Sequence, residues 1–155
     1  KKRGNLLIVE RAWLSTYTVL AAYLKERVLS NVWWPVRVED ETAKILAVWL
    51  NSTFGLLLIL SIAEVTRDPW VKFKKEHLWD MPILDVGKLD KKAKKTLLSL
   101  YDEVYNSELK SLPDEFANPS TRRTIDEEIC KALGLDLKLD TVYKLLADEP
   151  MIKCR

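Results

Sequence analysis

Few side chains in this sequence have the type and spacing that chemistry requires. The lone His77 would need a geometric partner to act as a general base, and it reads first as a surface or locally satisfied histidine. Arg122 and Arg123, followed by Asp126, Glu127 and Glu128 at helical spacing, suit a solvated, ion-paired helix face better than a catalytic centre. Cys130 and Cys154 lack metal-ligand spacing, and with one histidine no zinc site is visible. No glycine-rich phosphate loop, paired histidine ligands, or Cys/His or Ser/His arrangement occurs. No catalytic or metal-binding residue is therefore assigned. One group does suggest binding: Arg67, Trp70, Lys72, Lys74 and Lys75 are the densest cations beside an aromatic in the first half. Alternation along a strand would present Trp70, Lys72 and Lys74 on one face and Val71 and Phe73 on the other. Such a face either contacts phosphates or is simply solvated. Lys88, Lys91, Lys92, Lys94 and Lys95 read instead as the wet side of a helix whose other face carries Leu89, Ala93 and Leu97.

The elements that position these residues are organised around Ile45 to Ala63, nineteen residues without a charge. The length approaches the roughly 20 apolar residues of a membrane span. Asn51, Ser52, Thr53 and Gly55 interrupt its middle, and no Lys/Arg cluster anchors its ends. A buried helix, apolar on every side and entered through Asp40 and Glu41, is the better expectation. Asn51 and Ser52 within it are expected to be structural. The amide of Asn51 must bond to backbone in a neighbouring loop, orienting Ser30 to Pro35, or bear a desolvation cost of about 1 to 3 kcal/mol.

Around this helix the pattern predicts strands at Asn5–Arg11, at Thr16–Leu24, with helix as the alternative, and in Arg27–Val38, broken at Ser30 and Asn31. Pro35 favours an edge or a bulge. Adjacent Trp33 and Trp34 on a strand would point one inward and one outward, the outward one free to stack on a base or partner, but cover of both by neighbouring elements is the better expectation. Trp70–Lys74 reads as a half-buried strand, and His77–Asp85 as a short turn or helix leading into an extended segment. The second half reads as an amphipathic helix within Leu89–Leu109 capped by Asp90, and a connector over Ser111–Ser120. A helix over Thr121–Leu133 follows, with Ser120 as cap and Gly134 as stop, and then a short helix over Thr141–Ala147 ended by Pro150. The expected fold class is α+β: a small strand-rich layer around a buried central helix, followed by a helical C-terminal part. The division expected is an α/β domain over 1–86 and a helical extension over 87–155.

Composition narrows the function classes. A net charge of +2 is too small to imply nucleic-acid binding by itself, so the placement of the cations decides. The cysteine usage, and a start in which Lys1, Lys2 and Arg3 precede only a short apolar run, suggest an intracellular, cytoplasmic chain without a signal peptide. The opening KKRGNLLIVE, which lacks Met, suggests an excised fragment of a longer protein.

The ordered motifs Ser30-Asn31-Val32-Trp33-Trp34-Pro35, Trp49-Leu50-Asn51-Ser52-Thr53, Trp70-Val71-Lys72-Phe73-Lys74 and Leu78-Trp79-Asp80-Met81-Pro82-Ile83 resemble the target-recognition regions of adenine-specific DNA methyltransferases. They are also similar to those of type I restriction specificity subunits. The resemblance covers about Asn5 to Leu135, since Arg122-Arg123, Ile125-Asp126 and Leu133-Gly134-Leu135 look like the C-terminal end of such enzymes. Where the family often has a glycine before the basic strand, this chain has Arg67, Asp68 and Pro69. The family's Asn-Pro-Pro-Tyr signature and S-adenosylmethionine loop are absent. The resemblance thus implies a recognition part without a methylating part or cofactor of its own. Its partners would be double-stranded DNA and a methyltransferase catalytic domain or subunit, with no membrane. The expected DNA-facing residues are Asn31, Arg67, Trp70, Lys72, Lys74 and Lys75. The alternative is a protein–protein docking module that never touches DNA.

Overall fold

The computed structural model describes residues 3–16, 19–65, 70–118 and 121–153. The fold is α+β, with two small antiparallel sheets packed on helices. The apolar run Leu6–Val9 lies in β1 (Gly4–Val9), the middle strand of the first sheet, between β3 (Ala21–Val28) and β4 (Trp33–Val36). Both faces of β1 are covered, with Leu6, Ile8 and Val9 buried and Leu7 half-buried, which is why this run is continuous rather than alternating. Pro35 pairs with Leu7 on edge strand β4, where a missing donor is tolerated. Gly4 is required where β1 meets β4, because a Cβ there would lie 2.4 Å from Val36 O. Asn5, buried beside it, exchanges hydrogen bonds with the backbone of Val38 at 3.0 and 3.1 Å and donates to Asp40 Oδ1 at 2.9 Å. That clamp sets the entry angle of the first helix.

The second sheet has order β2 (Arg11–Trp13), β6 (Trp70–Lys72), β5 (Glu64–Val65). The amide of Phe73 donates to Glu10 O at 2.9 Å and the indole of Trp34 donates to Phe73 O at 3.2 Å, so the two sheets are stitched at the end of β6. The strand expected over 16–24 is displaced: β3 begins at Ala21, positions 17 and 18 lie outside the described residues, and the short β2 is an addition to the expected strands.

The expected single central helix is two. Helix α1 (Asp40–Asn51) and α2 (Thr53–Ile62) meet at 78° across an extended Ser52. Ser52 caps α2, its Oγ accepting from Gly55 N at 3.2 Å and donating to Trp49 O at 2.5 Å. The corner closes tightly: a Cβ on Gly55 would sit 2.4 Å from Leu50 Cα. The polar residues in the apolar run therefore mark a turn. Glu39, not Asp40, occupies the N-cap of α1, without a side-chain capping bond, and Asp40 accepts from Asn5 instead. Enclosure holds for α1 from Ile45 onward, beyond an exposed first turn, whereas Leu57 of α2 is 44% exposed. Among the described residues no single helix is long and apolar enough to cross a membrane. The bent pair meets the length and composition criteria only when taken together.

Downstream come α3 (Lys75–Asp80), a 3-10 turn (Val86–Lys88) and α4 (Lys91–Val104). Asp90 caps α4 by accepting from Ala93 N at 2.7 Å. Ala93, Leu97 and Leu100 face inward while Lys91, Lys92 and Lys95 stay exposed, as the amphipathic pattern predicts. The expected connector contains a helix, α5 (Leu112–Ala117), capped by Ser111 and carrying Pro113 in its first turn, where a missing N–H loses no helical bond. Helix α6 (Thr121–Leu133) ends at Gly134, whose φ of 65° is the left-handed stop. The expected Ser120 cap lies outside the described residues. Helix α7 (Leu139–Ala147) stops at Asp148, and Pro150 opens α8 (Pro150–Lys153) rather than ending α7. A single apolar cluster runs from Leu6, Ile45 and Leu56 to Leu97, Leu100, Ile125 and Ile129.

Candidate nucleic-acid interface and the polar corner behind it

Strand β6 and the residues after it present the expected alternation: Val71 and Phe73 are buried, while Trp70 and Lys74 are exposed and Lys72 lies between. Trp70 leans on Trp13 across the ladder, with ring centres 6.1 Å apart and planes at 52°. Lys75 follows as the first, exposed residue of α3. The row is less cationic than its sequence suggests. Glu64 of β5 lies opposite Lys72 in register and bonds Lys74 Nζ at 2.7 Å, with His77 Nε2 4.0 Å from the same carboxylate oxygen. The bond from Lys74 holds the Glu64 carboxyl below its ordinary value, and Glu64 in turn holds the Lys74 ammonium above its own.

Asn31 lies in the exposed turn between β3 and β4, where Ser30 Oγ accepts from Val32 N at 3.2 Å and Trp33 N at 3.0 Å. Trp33 and Trp34 are both covered by neighbouring elements, as expected. Both are half-buried against the core, and the Trp34 bond to Phe73 O connects this region to the end of β6. The structure thus runs Trp70, Lys72, Lys74 and Lys75 together and hangs the Asn31 turn from the strand bonded to their segment. Arg67 and Asp68 lie outside the described residues.

A polar corner joins α6 to the junction of α1 and α2, and it corrects the expectation for α6. Arg122 and Asp126 are not on a solvated face; both are 0% exposed. Asp126 Oδ1 accepts from Thr53 N at 2.8 Å, and Oδ2 accepts from Thr53 Oγ1 at 2.5 Å and Tyr143 Oη at 2.6 Å. Burial pushes the Asp126 carboxyl up, with the Thr53 and Tyr143 bonds and the Arg122 charge opposing it. Burial likewise lowers Arg122 and raises Tyr143. Arg122 donates to the carbonyl of Asn51, and its amide donates to Glu115 Oε2 at 3.2 Å, while Glu115 Oε1 accepts from Lys110 N at 2.7 Å. The expected surface ion pairing holds for Arg123, with Glu127 at 2.6 Å and Asp140 at 2.5 Å, and for Glu128, with Lys131 at 2.5 Å. The signal for burial is present in the sequence: Arg122, Ile125, Asp126 and Ile129 form one stripe at i, i+3, i+4 and i+7, and the two isoleucines mark it as the inner face.

Asn51 does bond to backbone, though not to the expected segment. Its Oδ1 accepts from Leu20 N at 2.7 Å and Ala21 N at 3.3 Å, and its Nδ2 donates to Ala21 O at 2.6 Å and Ala47 O at 2.9 Å. It therefore fixes the start of β3 rather than Ser30 to Pro35. Removed from solvent, the bonds of Asp126 to Thr53 and Tyr143 and of Arg122 to the carbonyl of Asn51 tie α1, α2 and α6 together. Cys130 is half-buried and its thiol is pushed up by burial, the opposite of a reactive thiolate. Among the described residues no group of His, Cys, Asp or Glu could hold a metal ion. Compared with family models, curated proteins and solved structures, the chain finds no match.

Proposed function

We propose that this chain is a DNA target-recognition module of a restriction-modification, adenine-specific methyltransferase. It would act in the cytoplasm on double-stranded DNA beside a separate catalytic domain or subunit. The observation that supports this reading best is the outward row Trp70, Lys72 and Lys74, continued by Lys75, on a segment anchored from behind by Val71 and Phe73. A strand with one face in the core offers its other face rigidly, which suits cations that set register on a phosphate backbone. Glu64 competes for Lys74, but the pair is exposed, and exposed pairs are weak and screened by salt, so a phosphate can take its place. Replacing Lys72, Lys74 and Lys75 together with Ala should weaken DNA binding across all sequences and lower the salt slope by about 0.9 for each phosphate no longer neutralised. An unchanged slope removes this strand from the interface.

A second reading, docking onto a partner protein without DNA contact, is favoured by the exposed apolar side chains Trp79, at 77%, Ile83, at 42%, and Leu145, at 70% on α7. Large apolar side chains held in water are a feature of protein-binding surfaces when they cluster. Salt-insensitive binding to a catalytic subunit, with no retention of DNA, would select that reading.

A further inference from the structure

At the end of the first sheet remote from the lysine row, three adjacent strands bring arginines together. Arg3 precedes β1, Arg27 lies in β3 and Arg37 follows β4. The pairings Gly4 with Val28 and Leu6 with Val36 place all three at the same end of the sheet. They line an open cleft of about 910 Å³ together with Glu26. All four side chains are exposed, and among the described residues none of the three arginines forms an ion pair or a side-chain hydrogen bond. Three guanidinium groups against one carboxylate leave the cleft cationic. Of the other described arginines, Arg123 is held by Glu127 and Asp140, Arg122 is buried, and Arg11 stands exposed in β2 opposite Lys72, so the cleft is distinguished by three arginines converging on one site.

We infer that the Arg3–Arg27–Arg37 cleft is a second phosphate-binding site, which takes backbone phosphates of duplex DNA and extends the footprint beyond the lysine row. This rests on the DNA-recognition reading. Guanidinium presents a planar fork that matches two phosphate oxygens, whereas lysine offers a point charge. The cleft therefore fixes a phosphate's position more tightly than the Lys72–Lys75 run does. Strand β1 separates the two surfaces: from Arg3 to Glu10, whose carbonyl pairs with Phe73, the chain covers about 23 Å of extended backbone. At one phosphate per 3.4 Å along a strand, that span corresponds to roughly seven nucleotides.

The test is salt-dependent binding of the 155-residue chain to a duplex oligonucleotide of about 20 base pairs, long enough to reach both surfaces. The variants are Arg3→Gln/Arg27→Gln/Arg37→Gln and its all-Lys counterpart, with inorganic pyrophosphate as a second probe. Because the three side chains are exposed, the thermal midpoint should stay at that of the unaltered protein. The cleft predicts that the Gln variant lowers the salt slope by about 0.9 per phosphate no longer neutralised, and that the Lys variant restores the slope but not the full affinity. DNA binding by the Gln variant with unaltered slope and affinity overturns the cleft while leaving the lysine row in place. Tight pyrophosphate binding abolished in the Gln variant, with DNA binding untouched, also overturns it, since the site then serves a free phosphate compound. Failure of the unaltered chain to retain DNA at any salt is a separate result, and it overturns both this site and the reading on which it rests.

Discussion

Replacing Asn51 with Leu should destabilise the fold heavily while leaving its shape almost full. Leucine fills nearly the same volume, so the loss comes from what the amide leaves behind. Leu20 N–H and Ala21 N–H lose the acceptor at 2.7 and 3.3 Å, and Ala21 C=O loses the donor at 2.6 Å. Leu20 and Ala21 are 0% and 1% exposed, so water cannot replace the bonds without opening the core. Ala47 C=O is spared, because it faces the next turn of its own helix. At about 1 to 3 kcal/mol for each orphaned group, three groups put the loss near 3 kcal/mol at the low end. For a chain of this length that lowers the thermal midpoint by roughly 6 to 12 °C. Urea unfolding followed by tryptophan fluorescence, with the m-value held as a check on two-state behaviour, measures it. A loss below about 1 kcal/mol would mean that the start of β3 does not depend on Asn51, and the account of the corner would be wrong.

Arg122→Met should cost about 3 to 5 kcal/mol, read by the same urea titration, because it leaves Asp126 and Glu115 buried without their counter-charge. Gly55→Ala, harmless in most exposed helices, should here destabilise by about 1 to 3 kcal/mol or more, since its Cβ would meet the backbone of Leu50 and Trp49 within 2.5 Å. Ser52→Ala should remove about 1 kcal/mol through the lost cap of α2. Because burial raises the Asp126 carboxyl in the folded state, its contribution is fully present below the ordinary carboxylate range and declines as pH rises through the elevated folded value. The unaltered protein should therefore lose stability relative to Asp126→Asn as pH rises above about 4, the ordinary value for an aspartate. A flat difference across that range in paired thermal melts would contradict the assignment.

The legible part of the fold was the part written in a single period. β1, the Trp70–Lys74 alternation, and the helices capped by Asp90 and stopped by Gly134 follow from local pattern and end signals. The bend at Ser52 was obscured because composition measures apolarity, not direction, and two short buried helices have the same composition as one long one. Arg122 and Asp126 were misplaced because charge dominates a local reading, whereas the burial of Asp126 depends on Thr53 and Tyr143, residues 73 and 17 positions away from it. In the lysine row, the alternation was visible but Glu64 was not, since its position opposite Lys72 comes from a strand pairing. The arginine cleft was beyond local reading for the same reason: its members are brought together only by the register of three strands.

Selection of duplexes from a pool with a randomised centre tests recognition itself more directly than any charge substitution. The 155-residue chain would be incubated with the pool near physiological ionic strength, and the retained molecules sequenced. A recognition module predicts enrichment of one short sequence containing adenine, and loss of retention when Lys72, Lys74 and Lys75 are replaced with Ala. Retained molecules as random as the starting pool, or no retention at all, would contradict it.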